Sequence, residues 1–333
     1  MISNSPRCDH YAGKRSLILA FCLVFTSTIA LSKPFAKTPS NVAQDQTKIA
    51  VSSSLVLLPV NVTDSRGAFV AGLKQENFHV LEEGQPQNLT VFDERDTPVT
   101  VGLIVDHSRS MGAKLAGVVE AVNSFAHSSN PQDQMFVVDF NDEVSIELMR
   151  GKAFSNDPKE LEEALNAVSA RGRTALYDAV SEGLRHLQYS PLDKKALIVI
   201  SDGGDNASHL KYQQVLVQAR QSQVEIYSIA LLGSDNEEEN PNLLKRLCKD
   251  TGGVAYFPAK GESVATVSRA IARDLREQYM LGYPPQNETR TDTFRKVEVK
   301  VTAPGQGRLR VRTRPGYSPT PEKRPAAQLE PST

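Results

Sequence analysis

Val101-Gly102-Leu103-Ile104-Val105-Asp106-His107-Ser108-Arg109-Ser110-Met111 is an apolar run that stops at an acid and continues with hydroxyls at every second position. The run has the length and branched-residue content of a buried strand. The tight loop after it can turn the oxygens of Asp106, Ser108 and Ser110 toward one point, just ahead of a helix-like pattern that begins at Gly112.

Outward from this stretch, strand-like and helix-like segments alternate. The expected strands are Val99 to Val105, Gln134 to Phe140, Val144 to Met149, Lys195 to Ser201, Val224 to Ala230 and Gly253 to Phe257. The expected helices are Gly112 to His127, Pro158 to Ala170, Thr174 to Leu187, Leu210 to Gln221, Pro241 to Asp250 and Val264 to Arg276. Such alternation predicts an α/β fold, a Rossmann-like, doubly wound and mainly parallel sheet with helices on both faces. The turn at Asn141-Asp142 pairs the second and third strands as a local antiparallel hairpin.

The flanks read as β. Leu55 to Val62, Phe78 to Gly84 and Leu89 to Phe92 precede the α/β part, and Tyr279 to Tyr283, Arg295 to Thr302 and Arg308 to Thr313 follow it. The N-terminal set alone is too small to bury a stable core. The two flanks are therefore expected to meet in one small β module, from an N-terminal segment 49–98 and a C-terminal segment 279–316, around a central domain 99–278.

The chain has 333 residues, 40% hydrophobic and 23% charged, with a formal net charge of -1. That balance, with no run of Lys and Arg interleaved with aromatics, argues against nucleic acid as a partner. Neither a Gly-x-Gly-x-x-Gly fingerprint nor a Walker-type loop occurs, which argues against nucleotides. Lys14 and Arg15 precede an apolar run from Leu17 to Leu31 with small residues at Ala30-Leu31-Ser32, the pattern of a signal peptide over 1–32. A retained N-terminal anchor is the alternative, and no later segment could span a membrane. The expected product is secreted or periplasmic, in the cell envelope, with a flexible leader 33–48 and a disordered tail 317–333. Cys8 and Cys22 fall in the signal segment, leaving Cys248 without a partner, as a small buried hydrophobe.

In open α/β sheets, ligands sit beyond the carboxyl ends of the strands. Asp202 stands there, in Ser201-Asp202-Gly203-Gly204-Asp205-Asn206, where glycines permit a sharp reversal. Thr174, at the expected start of a helix, is either an N-cap or a ligand. Asp205 and Asn206 could support the ligands from behind, but after two glycines they read rather as turn formers and are left out of the set. The five residues Asp106, Ser108, Ser110, Thr174 and Asp202 offer only hard oxygen with two carboxylates, which favours Mg²⁺ over zinc, since zinc prefers His or Cys.

This set, Asp106-His107-Ser108-Arg109-Ser110 with Thr174 and Ser201-Asp202-Gly203, resembles the metal-ion-dependent adhesion site of von Willebrand factor type A (VWA) domains. Further similarity, through Gly72-Leu73, Asn77-Phe78, Gln278 to Tyr283, Phe294 to Val297, Val311-Arg312 and Gly316-Tyr317, is to an exported bacterial subgroup of acidobacterial type. The resemblance implies that Ser108, Ser110 and Thr174 ligate a cation, Mg²⁺ or alternatively Mn²⁺ or Ca²⁺, directly. It implies that Asp106 and Asp202 act mostly through water, and that an Asp or Glu of a partner protein fills an open position. The implied function is an exported, metal-dependent adhesion or scaffold module, not an enzyme. The alternatives are a metal-dependent hydrolase or phosphotransfer enzyme using Asp106, and a purely structural envelope protein. Where relatives carry a small residue ahead of the threonine, this chain has Arg173. With Arg109 and Arg171 it predicts a positive rim that steers acidic ligands.

Overall fold

In the computed structural model, the described residues are 55–148, 151–166, 169–233, 239–259, 262–286 and 294–319. The expected signal segment 1–32 and leader 33–48 lie outside them, as do residues 320–333 of the expected tail.

The N-terminal flank supplies β1 (Val56–Thr63), β2 (Phe78–Glu82), β3 (Gln85–Gln87) and β4 (Val91–Asp93). The central part runs β5 (Val99–Asp106), α1 (Leu115–Ser128), β6 (Gln134–Phe140), β7 (Val144–Glu147), α2 (Pro158–Asn166), α3 (Leu176–His186), β8 (Lys194–Ser201), α4 (Tyr212–Ser222), β9 (Glu225–Ala230), α5 (Pro241–Thr251), β10 (Ala255–Tyr256) and α6 (Val264–Arg276). The C-terminal flank adds β11 (Tyr279–Tyr283), β12 (Arg295–Val301), β13 (Arg310–Arg312) and β14 (Gly316–Tyr317).

The central sheet has the order β10-β9-β8-β5-β6-β7, parallel throughout except for β7, which pairs antiparallel with β6 through Phe140 and Val144. This is the α/β class read from the sequence. All eight residues of β5 are buried, as a strand covered on both faces requires. On one face Val101, Leu103 and Val105 pack with Val118, Val122 and Phe125 of α1 and Ile271 and Leu275 of α6. On the other, Ile104 packs with Phe136, Val180 and Leu197. Gly183 lets α3 come close, since a Cβ there would lie 2.6 Å from Ile104 Cδ1. The chain leaves β5 toward β6 on one side and later returns to β8 on the other, so the strand order reverses at β5 and opens a crevice at its carboxyl end. Among the described residues no helix is long and apolar enough to cross a membrane.

The flanks form two four-stranded sheets, β13-β1-β11-β4 and β14-β12-β2-β3. In the first Leu58 lies opposite Leu281, and in the second Val80 lies opposite Val299. Both contribute to one core that includes Leu58, Val60, Phe78, Val80, Tyr279 and Val297. Tyr317, assigned by sequence to the tail, instead closes β14, is buried, and donates its hydroxyl hydrogen to Glu82 Oε2 at 3.0 Å. Its ring and its hydroxyl both find partners in the module, which is why the module extends past 316. Cys248 is buried on α5 beside Ser228, and burial pushes its thiol up to about 12.

An ion pair sits inside the β module. Arg295 Nη1 lies 3.0 Å from Glu82 Oε1, each side chain 6% exposed, and Tyr283 donates to Glu82 Oε2 at 2.8 Å. Removing one partner of such a pair leaves a buried charge uncompensated, whereas replacing both with apolar groups does not. Arg295→Met is expected to destabilise the protein by about 3 kcal/mol or more in urea denaturation, and the double variant Glu82→Leu/Arg295→Met to recover most of that loss. A single-variant cost below about 1 kcal/mol would show that the pair is not what holds β2 to β12.

Candidate functional site

Three chain segments are laced together at the carboxyl edge of the sheet by backbone hydrogen bonds. His107 N–H donates to Phe140 O at 2.8 Å, which ties the loop after β5 to the end of β6. Arg171 N–H donates to His107 O at 2.9 Å and Arg109 N–H to Gly172 O at 3.3 Å, which bring the segment before α3 against that loop. Ala175 N–H donates to Asn141 O at 2.8 Å and fixes the same segment to the β6–β7 turn.

Asp106 and Asp202 form the buried back of the site, 0% and 1% exposed. Asp106 Oδ1 accepts the Ser108 backbone N–H at 2.9 Å and Oδ2 accepts the Ser201 hydroxyl at 2.6 Å. Ser201 Oγ in turn accepts the Gly203 N–H at 3.0 Å. Gly203 has φ +86°, and a Cβ there would lie 2.6 Å from Asn240 O; the reversal after Asp202 and the close approach of the chain before α5 both depend on glycine. Ser110 Oγ donates to Asp202 Oδ2 at 2.8 Å and lies 3.2 Å from Ser108 Oγ.

The hydroxyl-bearing residues face outward from this back. Ser108, Ser110 and Thr174 line one cavity of about 780 Å³ together with Arg109, Lys114, Asp142, Arg173, Asn206 and Glu239. Asp106 and Asp202 lie behind it. The structure thus gathers all five residues singled out in the sequence in one region, with the hydroxyls at the cavity wall.

Thr174 is not a helix cap. α3 begins at Leu176 with Ala175 in the N-cap position, two residues later than the sequence pattern suggested. The exposed amides of α3 are instead met by the segment after β8: Tyr177 N–H donates to Asp205 Oδ1 at 3.2 Å and to Ser208 Oγ at 3.0 Å. Asn206 holds Thr174 itself, accepting its N–H on Oδ1 at 2.9 Å while the Asn206 and Ala207 amides donate to Thr174 O at 2.9 and 3.0 Å. Asp205 and Asn206 are therefore more than turn formers. Asn206 positions Thr174 and Asp205 serves the start of α3, supporting roles that the sequence pattern did not favour because the contacts span some thirty residues. With its capping role taken by others, the Thr174 side chain is left for the cavity.

His107 turns inward, its Nδ1 facing Asp139 Oδ1 on β6, both residues buried. It gives neither serine a general base. Among the arginines, Arg173 does not crowd the hydroxyls: its Nε pairs with Asp142 Oδ1 at 2.9 Å, and the side chain is 67% exposed. Arg109 is exposed at the cavity wall, whereas Arg171 is not a lining residue. Rim charge is mixed, because Asp142 and Glu239 stand among Arg109, Arg173 and Lys114.

Two buried carboxylates with three hydroxyls and no imidazole or thiolate suit a small hard cation that keeps part of its water. The electrostatics agree. Burial pushes the Asp106 carboxyl up to about 6, against hydrogen bonds from Ser108 and Ser201 that hold it down, and the neighbouring Asp202 adds to the rise. A bound cation would relieve that penalty.

The linkage has a definite sign. In the unfolded chain this carboxyl ionises near about 4, below its folded value, so ionisation costs the folded state stability as pH rises from about 4 to 6 and the cost then stays constant. In chelator, Asp106→Asn is expected to be more stable than wild type at pH 7 by about 1–3 kcal/mol, with the advantage gone below about pH 4. Urea denaturation at both pH values checks this, and an advantage independent of pH would mean that ionisation of Asp106 is not its source.

A family model for the von Willebrand factor type A domain matches residues 101–270. An uncharacterized protein of Borreliella burgdorferi is 27% identical over 181 residues, covering 46% of this chain and 52% of that protein. The mouse inter-alpha-trypsin inhibitor heavy chain H2 is 25% identical over 221 residues, covering 63% of this chain and 22% of that protein. The chain thus spans about half of the first relative and about a fifth of the second. Among solved structures, a von Willebrand factor type A protein from Catenulispora acidiphila superposes with a TM-score of 0.48 at 12% identity, covering 76% of this chain and 77% of that one. With the family model covering half of its length, from β5 into α6, this chain belongs to the von Willebrand factor type A domain family.

Proposed function

We propose that this protein is an exported, cation-dependent protein-binding module of adhesion or scaffold type. Asp106, Ser108, Ser110, Thr174 and Asp202 hold Mg²⁺, with Mn²⁺ or Ca²⁺ as the other candidates, and the partner presents an Asp or Glu carboxylate. The observation that carries this reading is the placing of Ser108, Ser110 and Thr174 on one cavity wall directly in front of two buried carboxylates. When bound, the cation supplies a positive centre to which the partner's carboxylate adds. Asp106, fixed by Ser201 and the Ser108 amide, would supply negative charge to it. Asn206 fixes the backbone from which Thr174 reaches it.

An enzymatic reading is less well supported. Both Asp106 oxygens are engaged and the residue has no solvent exposure, which does not suit a nucleophile. His107 is directed at Asp139 and gives neither serine an imidazole base.

Titration of Mg²⁺ and of Mn²⁺ into wild type and Asp106→Ala, followed by calorimetry and thermal melting, tests the proposal. Wild type is expected to bind with a rise in melting temperature, and Asp106→Ala to show neither effect. In the same buffers an acidic peptide is expected to bind only the wild type and only with the cation present. Equal cation responses in both proteins would remove the site assignment. Cation-dependent turnover of phosphate or ester substrates that is lost in Asp106→Asn would favour the enzyme instead.

A further inference from the structure

Lys114 ends the short 3₁₀ turn Arg109–Lys114 that follows the serine loop. Its side chain is only 18% exposed, and Nζ donates to Asp202 Oδ2 at 3.3 Å and to Glu239 Oε1 at 3.1 Å. Asp202 Oδ2 is the same oxygen that accepts the Ser110 hydroxyl. An ammonium therefore already rests on one of the two carboxylates behind the cavity.

Glu239 holds it there. The Glu239 side chain is 10% exposed and its Oε1 also accepts the Gly233 N–H. The next residue, Asn240, donates its backbone N–H to Asp202 O at 3.2 Å and caps α5 by accepting the Leu243 N–H at 3.1 Å. The acid that grips Lys114 is thus attached on one side to the backbone of Asp202 and on the other to a helix start. A lysine suits this place because its compact charge sits on a flexible stem and can lean toward either carboxylate.

We propose that Lys114 is a built-in counter-ion of the site: its ammonium, gripped by Glu239, shares the charge of Asp202 and thereby limits how tightly a divalent cation is held. The inference rests on the metal reading of the preceding section. Without a cation, Lys114 offsets the cost of burying Asp202. With one bound beside Asp202, the same positive charge would repel it. Glu239 works in the opposite direction, because it offsets the charge of the ammonium and adds negative charge beside the cavity.

The two residues therefore have effects of opposite sign, which a purely structural salt bridge would not produce. By calorimetry in low salt, Lys114→Met is expected to bind Mn²⁺ about tenfold more tightly than wild type, and Glu239→Gln several-fold more weakly. In chelator, Lys114→Met is also expected to melt below wild type, so that its cation-induced rise in melting temperature is the larger. Unchanged or weaker Mn²⁺ binding by Lys114→Met, with wild type responding, overturns the inference and leaves the metal reading intact. A response in Lys114→Met with none in wild type upholds the inference and overturns the reading that the native protein is cation-dependent. No response in any of the three proteins overturns both.

Discussion

Burial of two carboxylates at one end of a sheet is the constraint on which the site depends. Asp106 and Asp202 end or follow neighbouring strands whose every residue near them is buried, so neither can reach water for its hydration. Such groups stay charged only if hydrogen bonds and positive charge replace the water. Ser201, the Ser108 amide, Ser110 and Lys114 are arranged to do that. The rise in the Asp106 carboxyl shows that the replacement is incomplete within the protein alone.

That deficit explains the direction in which the surrounding loops are built. Many of their polar contacts hold backbone, while Ser108, Ser110 and Thr174 line the cavity, with Ser110 also donating to Asp202. The capping of α3 illustrates the point. A helix preceded by threonine would ordinarily use that hydroxyl for its own amides, yet Ser208 and Asp205 cross from the next segment to serve them. Similarly, His107 is removed from the cavity by Asp139. Side chains that would compete for the outward position are each occupied elsewhere.

How much of this could be read from the sequence follows from distance along the chain. Asp106, Ser108 and Ser110 are legible because one strand end and a two-residue spacing put them together. Asp202 is legible because a strand end and two glycines mark it. Thr174 is singled out by its place before a helix, but its setting was misjudged, because helix-start patterns do not reveal that the α3 amides are met by Asp205 and Ser208. Asn206, Lys114 and Glu239 carried no local signal: Lys114 reads as an ordinary first-turn lysine, and the acid that holds it lies 125 residues away. The α/β class was plain from alternating periodicity, and the meeting of the flanks followed from their being too small to stand alone. The place of Tyr317 in the β module was missed, since a single aromatic before a proline-rich stretch does not announce a strand.

The position of the β module bears on which face of the protein is left for a partner. Asn61 of β1 donates to Asp274 and to Glu277 O at the end of α6, while Gln278 donates to Glu225 at 2.9 Å and Arg312 of β13 pairs with Asp274. Glu225 begins β9, and β9 runs parallel to β8, with Ala196 opposite Glu225 and Ser201 opposite Ala230. Its attachment to the flanking strands is therefore made at the amino edge of the sheet, about 17 Å along the strands from the residues that end at Asp202. The buried polar contacts that join the two ends of the chain to the central domain are spent on the edge that carries no candidate ligands. A partner approaching Ser108, Ser110 and Thr174 along the strand axis meets the loops of the central domain first, and the charges that it meets there are those of Arg109, Arg173, Asp142, Lys114 and Glu239. In the function proposed above, recognition would then depend on a mixed rim around a cavity with a negative back, so that a cation and an acidic partner group would complete its charge together more readily than either would alone.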